Sequence, residues 1–287
     1  MAVHETLHDY YMHQHSHLEY YVKCCENSTD PETVHELRLS IKKLRALNIL
    51  AGQFAENYRD KPFRLKRRIR RVYQLAGELR DTQVQAEMHS AFEKLTGSEY
   101  PEYRSWLQQR ELKKRTLFYK TVHHASSSAT MQTGQKQVSR ILANAESKSI
   151  LQNSRKIIAD LYKKAEQLTS GTINERSLHS VRKVSKQLRY IISIIQHSYP
   201  EFRFKKISVE TLRVIEEEAG HWHDCLVRVE FLIKYTGKLS LRNHSAAARY
   251  QKLLGIYNSE HEEAFARVLI VARNAYNRQN PKSKRSE

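Results

Sequence analysis

Two stretches of the chain, VHELRLSIKKLRAL at residues 34–47 and LHSVRKVSKQLRYI at residues 178–191, repeat one pattern 144 positions apart. Each contains His, Arg, Lys and Arg at positions i, i+3, i+7 and i+10. Because an α-helix turns by about 100° per residue, these four side chains fall within an arc of about 80°, beside an apolar stripe. The pattern therefore predicts two equivalent amphipathic helices, the signature helices, each with a row of three cations and a histidine along the border of its apolar stripe.

A second repeated segment follows each signature helix. LAGELRDTQV at residues 75–84 aligns with EAGHWHDCLV at residues 218–227, so that Gly77 meets Gly220 at an offset of 143. The period is much longer than the units of about 20–50 residues that build solenoids, and it indicates an internal duplication. We predict one domain over residues 1–280 made of two repeats, about 1–125 and 148–278, with a linker over about 123–147 and a disordered tail over 281–287.

The composition favours an all-α fold. The 287 residues include only 8 Gly and 5 Pro, which leaves few of the turn signals that an all-β fold needs. Asp30 followed by Pro31 predicts the start of the first signature helix, and Asn174 predicts the start of the second. The predicted helices cover residues 3–26, 31–56, 60–79, 82–95, 100–122, 136–169, 175–197, 201–222, 225–235 and 243–277.

The formal net charge of +18 favours a polyanionic partner. A membrane-surface helix would need an exposed apolar face, whereas these helices need theirs for packing, so we expect no membrane insertion. Nucleic acid is an alternative partner, but bases are expected to stack on aromatic side chains. The second signature stretch contains only Tyr190, and the basic segment over residues 64–81 contains only Tyr73.

The signature helices, with H-x-x-R-x-x-x-K-x-x-R in each half, and the G-x-L-R-D segment of the first half resemble the CHAD family of α-helical domains. The resemblance runs from about Leu7 to about Arg278. It implies two pseudo-symmetric four-helix bundles that bind inorganic polyphosphate along a basic groove between them. The second half departs from the pattern, with HWHD at residues 221–224 and Gln187 in place of Lys43, and is expected to be less basic.

Arginine suits a phosphate chain because a guanidinium can hold phosphate oxygens through two parallel hydrogen bonds. The residues expected to bind polyphosphate are His35, Arg38, Lys42, Arg45, Arg64, Arg67, Arg71, His179, Arg182, Lys186, Arg189, Lys205 and Lys206. The two histidines could equally be packed or capping residues. We expect Arg80 and Asp81 to form a structural pair and helix cap.

The chain shows no enzyme motif: it has neither a glycine-rich phosphate loop nor an acidic pair that would hold Mg²⁺. His4 and His8 have the spacing of a shared metal site, but no paired cysteines or carboxylate cluster accompany them. We therefore expect no enzyme, no metal and no cofactor. A metal-binding phosphohydrolase is the weaker alternative.

The cellular location is predicted from cysteines and hydropathy. Three cysteines without a C-x-x-C pattern predict free thiols in a reducing compartment. No apolar run reaches the length of a membrane span. We expect a cytoplasmic protein, which could associate with polyphosphate granules.

Overall fold

The structure, a computed structural model, describes residues 6–54, 65–126, 135–239 and 244–277, and within these ranges it contains nine helices and no strand. The helices are α1 (Leu7–Cys24), α2 (Pro31–Phe54), α3 (Arg67–Thr96), α4 (Pro101–Ala125), α5 (Gln135–Asn144), α6 (Ser147–Ser170), α7 (Glu175–Ser198), α8 (Val209–Leu239) and α9 (His244–Tyr276). The predicted all-α fold is confirmed. His4, Arg64 and the predicted tail lie outside the described residues.

The chain forms two compact units. Unit 1 comprises Met1–Ile150 and Glu230–Tyr250, and unit 2 comprises Leu151–Val229 and Gln251–Glu287. In unit 1, α2 packs against both α1 and α3, α4 packs against α3, and α5 packs against α1 and α2. The signature helices α2 and α7 therefore belong to different units, and the two sequence repeats stay a prediction.

Both signature helices start where the caps predict. The Asp30 carboxylate accepts hydrogen bonds from the backbone amides of Glu32 (3.1 Å) and Thr33 (3.0 Å). Hydrogen bonds from the side chain and backbone of Thr33 lower the pKa of Asp30 to about 2. The Asn174 side chain accepts a hydrogen bond from the Ser177 amide at 2.9 Å. These contacts satisfy amides that the first turn of a helix leaves free.

Two predicted helix breaks are wrong. Helix α3 continues through residues 80 and 81, and α8 continues through residues 223 and 224. One glycine costs a helix only about 1 kcal/mol, and the buried apolar stripe on either side outweighs that cost. Asp81 therefore lies inside α3 and caps no helix, while Arg80 pairs with Glu87 at 3.5 Å. The expected helix cap is therefore wrong, whereas the Arg80–Asp81 pair stays a prediction.

Two predicted helix boundaries also differ from the structure. The helix predicted over 136–169 is divided into α5 and α6, and α8 begins at Val209 instead of residue 201. Pro200 disfavours helical backbone at the residue before it, so α7 ends at Ser198. Lys205 and Lys206 consequently lie in a turn before α8 and not within a helix.

The signature helices bury the apolar stripes that their sequences predict. Val34, Leu37, Ile41 and Leu44 of α2 are buried, and so are Leu178, Val181, Val184 and Leu188 of α7. The cation rows are left at the borders of these buried faces. Within the described residues, no helix combines the length and the hydropathy needed to cross a membrane.

Candidate functional site

Two arginines of α2 converge on one tyrosine of α3 in unit 1. Arg38 Nη1 donates a hydrogen bond to the Tyr73 carbonyl oxygen at 3.1 Å, and Arg38 Cζ lies 4.9 Å from the Tyr73 ring centroid. Arg45 Cζ lies 5.4 Å from the same centroid. Cation–π contacts of this kind stabilise by about 0.5–1 kcal/mol at exposed sites. Arg38, Arg45 and Tyr73 form what we term the Tyr73 cluster.

Gly77 allows Arg38 to reach this position. A Cβ atom at Gly77 would lie 2.6 Å from Arg38 Nη1, closer than real side chains approach. Glycine therefore allows the guanidinium to pass this close to α3, and a larger residue would shift the end of the Arg38 side chain. Tyr73 and Gly77 are site residues that sequence reasoning missed. The glycine that recurs in both repeats was the available sequence signal for this site. It does not reveal which side chain packs against the glycine.

In the Tyr73 cluster, the two arginines contact the ring and the backbone carbonyl of Tyr73, and neither of these groups carries a charge. Within the described residues, neither Arg38 nor Arg45 forms an ion pair with a carboxylate. Arg45 and His35 are exposed, whereas Arg38 and Lys42 are partly buried. The geometry therefore places two guanidinium charges near one surface without neutralising them.

Further cations lie at the start of α3. Arg67 and Arg71 are exposed, and the first turn of α3 contains no acidic residue. Arg71 Nη1 donates to the Gln74 side-chain oxygen at 3.0 Å. Because the amino end of a helix carries a partial positive charge, cations there are unfavourable without an anion nearby.

The nearest acidic side chain along α3 is already paired. Glu78 accepts hydrogen bonds from Lys114 of α4 at 2.5 Å and from Gln74 at 3.1 Å. Burial raises the pKa of Glu78, but the hydrogen bond and charge of Lys114 outweigh burial, so the pKa lies below its usual value. The negative charge of Glu78 is thus balanced by the positive charge of Lys114, and Glu78 remains ionised at neutral pH.

The second cation row has an acidic partner. Arg189 Nε donates to Glu216 Oε1 at 2.7 Å, and the two side chains are only 23% and 12% exposed. Arg189 Cζ also lies 4.7 Å from the Tyr190 ring centroid. At the 143-residue offset of the repeat, Glu216 occupies the position of Tyr73. The last arginine of this row is therefore neutralised in unit 2.

The histidine of the second row is partly buried, unlike the exposed His35. The His179 ring centroid lies 5.5 Å from that of His223 and 6.4 Å from that of Trp222. Burial and the charge of Lys183 lower the pKa of His179. Burial, followed by the charge of Arg182, lowers the pKa of His223 to about 3. His223 is therefore neutral near pH 7.

His223 is a further residue that sequence reasoning did not assign to the row, since HWHD was read only as a departure from the family pattern. The charges of Arg182, His179 and Lys186 all act on His223, so the described geometry brings these four side chains near one another. In the described parts of the chain, no group of three or more His, Cys, Asp or Glu side chains could hold a metal ion.

The turn before α8 contains the remaining predicted residues. Lys205 and Lys206 are exposed, and Lys206 Nζ lies 5.1 Å from the Tyr162 ring centroid of α6. The geometry thus joins Arg38 with Arg45, and His179 with Arg182 and Lys186, while Lys206 contacts a ring of another helix. The assignment of all these residues to one ligand stays a prediction.

Comparison with known proteins identifies the fold. The CHAD domain family matches residues 10–233. The crystal structure of the CHAD domain from the plant Ricinus communis is similar, with a TM-score of 0.73, 18% sequence identity, and coverage of 98% of this chain and 94% of that one. A solved structure of PptA from Streptomyces chartreusis has a TM-score of 0.63 and 13% identity, covering 95% of this chain and 98% of that one. No curated protein matches the sequence.

Proposed function

This chain belongs to the CHAD domain family, and from that premise we propose that it binds inorganic polyphosphate without catalysis. The observation that carries the proposal is the Tyr73 cluster, in which Arg38 and Arg45 are held by a tyrosine and not by carboxylates. A guanidinium fixed in this way keeps its charge and its remaining N–H donors for a ligand.

The spacing of the first cation row suits a flexible polyanion. Arg38 and Arg45 are seven residues apart on α2, which corresponds to a rise of about 10 Å. Lys42 lies between them on the same arc. A phosphate chain has a charge on every unit and no bases to separate them, so it can contact both arginines and the lysine at once.

The cations at the start of α3 support the same ligand. Arg67 and Arg71 are exposed in a region without an acidic residue in its first turn. Like charges on one helix destabilise it by a few tenths of a kcal/mol per pair, and the helix dipole adds to this cost. A bound polyanion would offset both contributions. Such binding would also allow the protein to associate with polyphosphate granules.

Nucleic acid fits the aromatic side chains less well. Single-stranded nucleic acids gain affinity when bases stack on aromatic rings. Tyr73 already contacts two guanidiniums, and Tyr190 contacts Arg189. These rings therefore offer less free surface to a base, and polyphosphate is the ligand we favour.

A displacement experiment tests the identity of the ligand. Labelled RNA or DNA is bound to the protein at moderate salt, and long-chain polyphosphate is added at matched phosphate concentration. We expect polyphosphate to displace both nucleic acids and the reverse displacement to fail. Salt dependence alone would not discriminate, since either ligand releases counterions on binding. Equal competition by RNA would assign the surface to nucleic acid, and shortening of the polyphosphate chain during incubation would contradict non-catalytic binding.

A further inference from the structure

Glu216 distinguishes the second cation row from the first. We infer that Glu216 competes with phosphate for Arg189 and thereby makes the second row the weaker polyphosphate-binding surface. The inference rests on the proposed function and identifies a residue that determines the affinity of one of its two rows. Glu216 lies on α8, outside the signature pattern, so the motif itself does not reveal it.

The geometry of the pair supports this competition. Arg189 Nε and Glu216 Oε1 are 2.7 Å apart, a distance typical of a strong charge-assisted hydrogen bond. Water reaches little of either side chain, with 23% of Arg189 and 12% of Glu216 exposed. Solvent screens a pair of this kind less than it screens a surface ion pair. A phosphate group that binds Arg189 must therefore share or replace an interaction that is already formed.

The charge of Glu216 opposes a phosphate ligand in a second way. The guanidinium could still present its Nη atoms while Nε remains on Glu216, because it has five N–H donors. The carboxylate would then lie close to any phosphate on those Nη atoms, and the two anions repel each other. Sharing Arg189 is thus less favourable than binding an arginine without a carboxylate partner.

Unit 1 shows the same row without this competitor. Arg45 is the counterpart of Arg189, and its contact on α3 is the ring of Tyr73 at 5.4 Å. A tyrosine ring attracts the guanidinium through its quadrupole but does not cancel its charge. Unit 2 has a glutamate at the position where unit 1 has this tyrosine, and this local difference distinguishes the two rows.

Glu216→Gln tests the inference by a gain of affinity. Glutamine keeps an oxygen that can accept the Arg189 hydrogen bond, so the contact between α7 and α8 is retained while the charge is removed. We expect polyphosphate to bind about three- to tenfold more tightly, which corresponds to about 0.7–1.4 kcal/mol. The salt dependence of binding should also steepen by about one released counterion.

Glu210→Gln is the matched control. Glu210 lies on the same helix, is 71% exposed, and pairs with Arg213 at 3.2 Å, so its replacement removes the same charge from the surface. We expect less than about a twofold change in affinity for this variant, because exposed ion pairs contribute little. Glu216→Tyr provides a second test, since it copies the residue found at this position in unit 1.

The outcomes separate this inference from the proposed function. Absence of polyphosphate binding by the unaltered protein would overturn the proposed function. Binding by the unaltered protein that neither Glu216→Gln nor Glu216→Tyr strengthens would overturn only the role of Glu216. An equal gain in Glu210→Gln would attribute the effect to net charge and would also overturn that role. Far-UV circular dichroism of each variant verifies that the helices are retained.

Discussion

The two units present the same signature pattern to different neighbours. In unit 1 the row of α2 faces α3, which offers Tyr73 and Gly77. In unit 2 the row of α7 faces α8, which offers Glu216 and His223. Identical cations thus become two chemically different surfaces because the adjacent helix changes. A signature motif identifies the row, but the residues that face it determine how much of its charge a ligand can use.

The first turns of α3 and α8, the helices that face the two rows, differ in the same way. At the 143-residue offset, Arg67 of α3 corresponds to Glu210 of α8, and Arg71 corresponds to Val214. Two exposed cations of unit 1 thus have as their counterparts in unit 2 an exposed glutamate that pairs with Arg213 and an apolar side chain. The start of α8 therefore lacks the two exposed arginines that the start of α3 offers.

The largest expected effect of the contrast is on stability. Arg189→Met would leave the mostly buried Glu216 carboxylate without its partner, and we expect a loss of about 3 kcal/mol in the free energy of unfolding. Arg45→Met removes an exposed cation–π contact and should cost less than about 1 kcal/mol. Urea denaturation of both variants measures the difference. Equal losses would show that Glu216 does not distinguish the two rows.

A smaller effect concerns the pH dependence of stability. Since the pKa of His223 is about 3 in the fold against 6.5 for a free histidine, the unfolded chain binds more protons between these values. Stability is therefore lost as the pH falls below about 6.5, and this histidine accounts for about 2 kcal/mol at pH 5. Comparing urea denaturation at pH 7 and pH 5 for the unaltered protein and His223→Gln isolates this contribution from that of the carboxylates. Parallel losses in both proteins would contradict the prediction.

The smallest stability effect concerns the paired glycines. Gly220→Ala should stabilise α8 by up to about 1 kcal/mol, because a Cβ there would meet no atom of the described residues within 4 Å. In Gly77→Ala the same gain is reduced, since the end of the Arg38 side chain must shift and we expect its hydrogen bond to Tyr73 to weaken. Thermal denaturation measures both changes. Polyphosphate affinity should fall only in Gly77→Ala, and a similar loss in Gly220→Ala would contradict the role of Gly77.

Local sequence signals predicted the starts of the signature helices well. Asp30 and Asn174 cap α2 and α7 because the contacts involved span only two or three residues. The same local reasoning failed at residues 80–81 and 223–224, shortly after Gly77 and Gly220, where it predicted breaks. Those helices continue because their apolar stripes are buried against other helices, which is a tertiary effect that overrides a weak local preference.

The candidate site was predictable only in part for the same reason. The period of an α-helix is enough to place Arg38 and Arg45 on one side of α2. It does not determine which residue of α3 lies opposite them, so Tyr73 could not be identified from the sequence. Glu216 was likewise hidden, because its pairing with Arg189 joins residues of two helices separated by a turn.

The measurement that tests the central claim most directly is a polyphosphate titration of Arg45→Glu beside Arg115→Glu. Arg115 of α4 borders a cleft with residues 27–29, before α2 begins, whereas Arg45 lies about 20 Å further along α2. Both variants change the net charge equally. We expect affinity to fall at least about tenfold for Arg45→Glu and less than about threefold for Arg115→Glu. Equal losses, or unchanged affinity in Arg45→Glu, would contradict binding at the Tyr73 cluster.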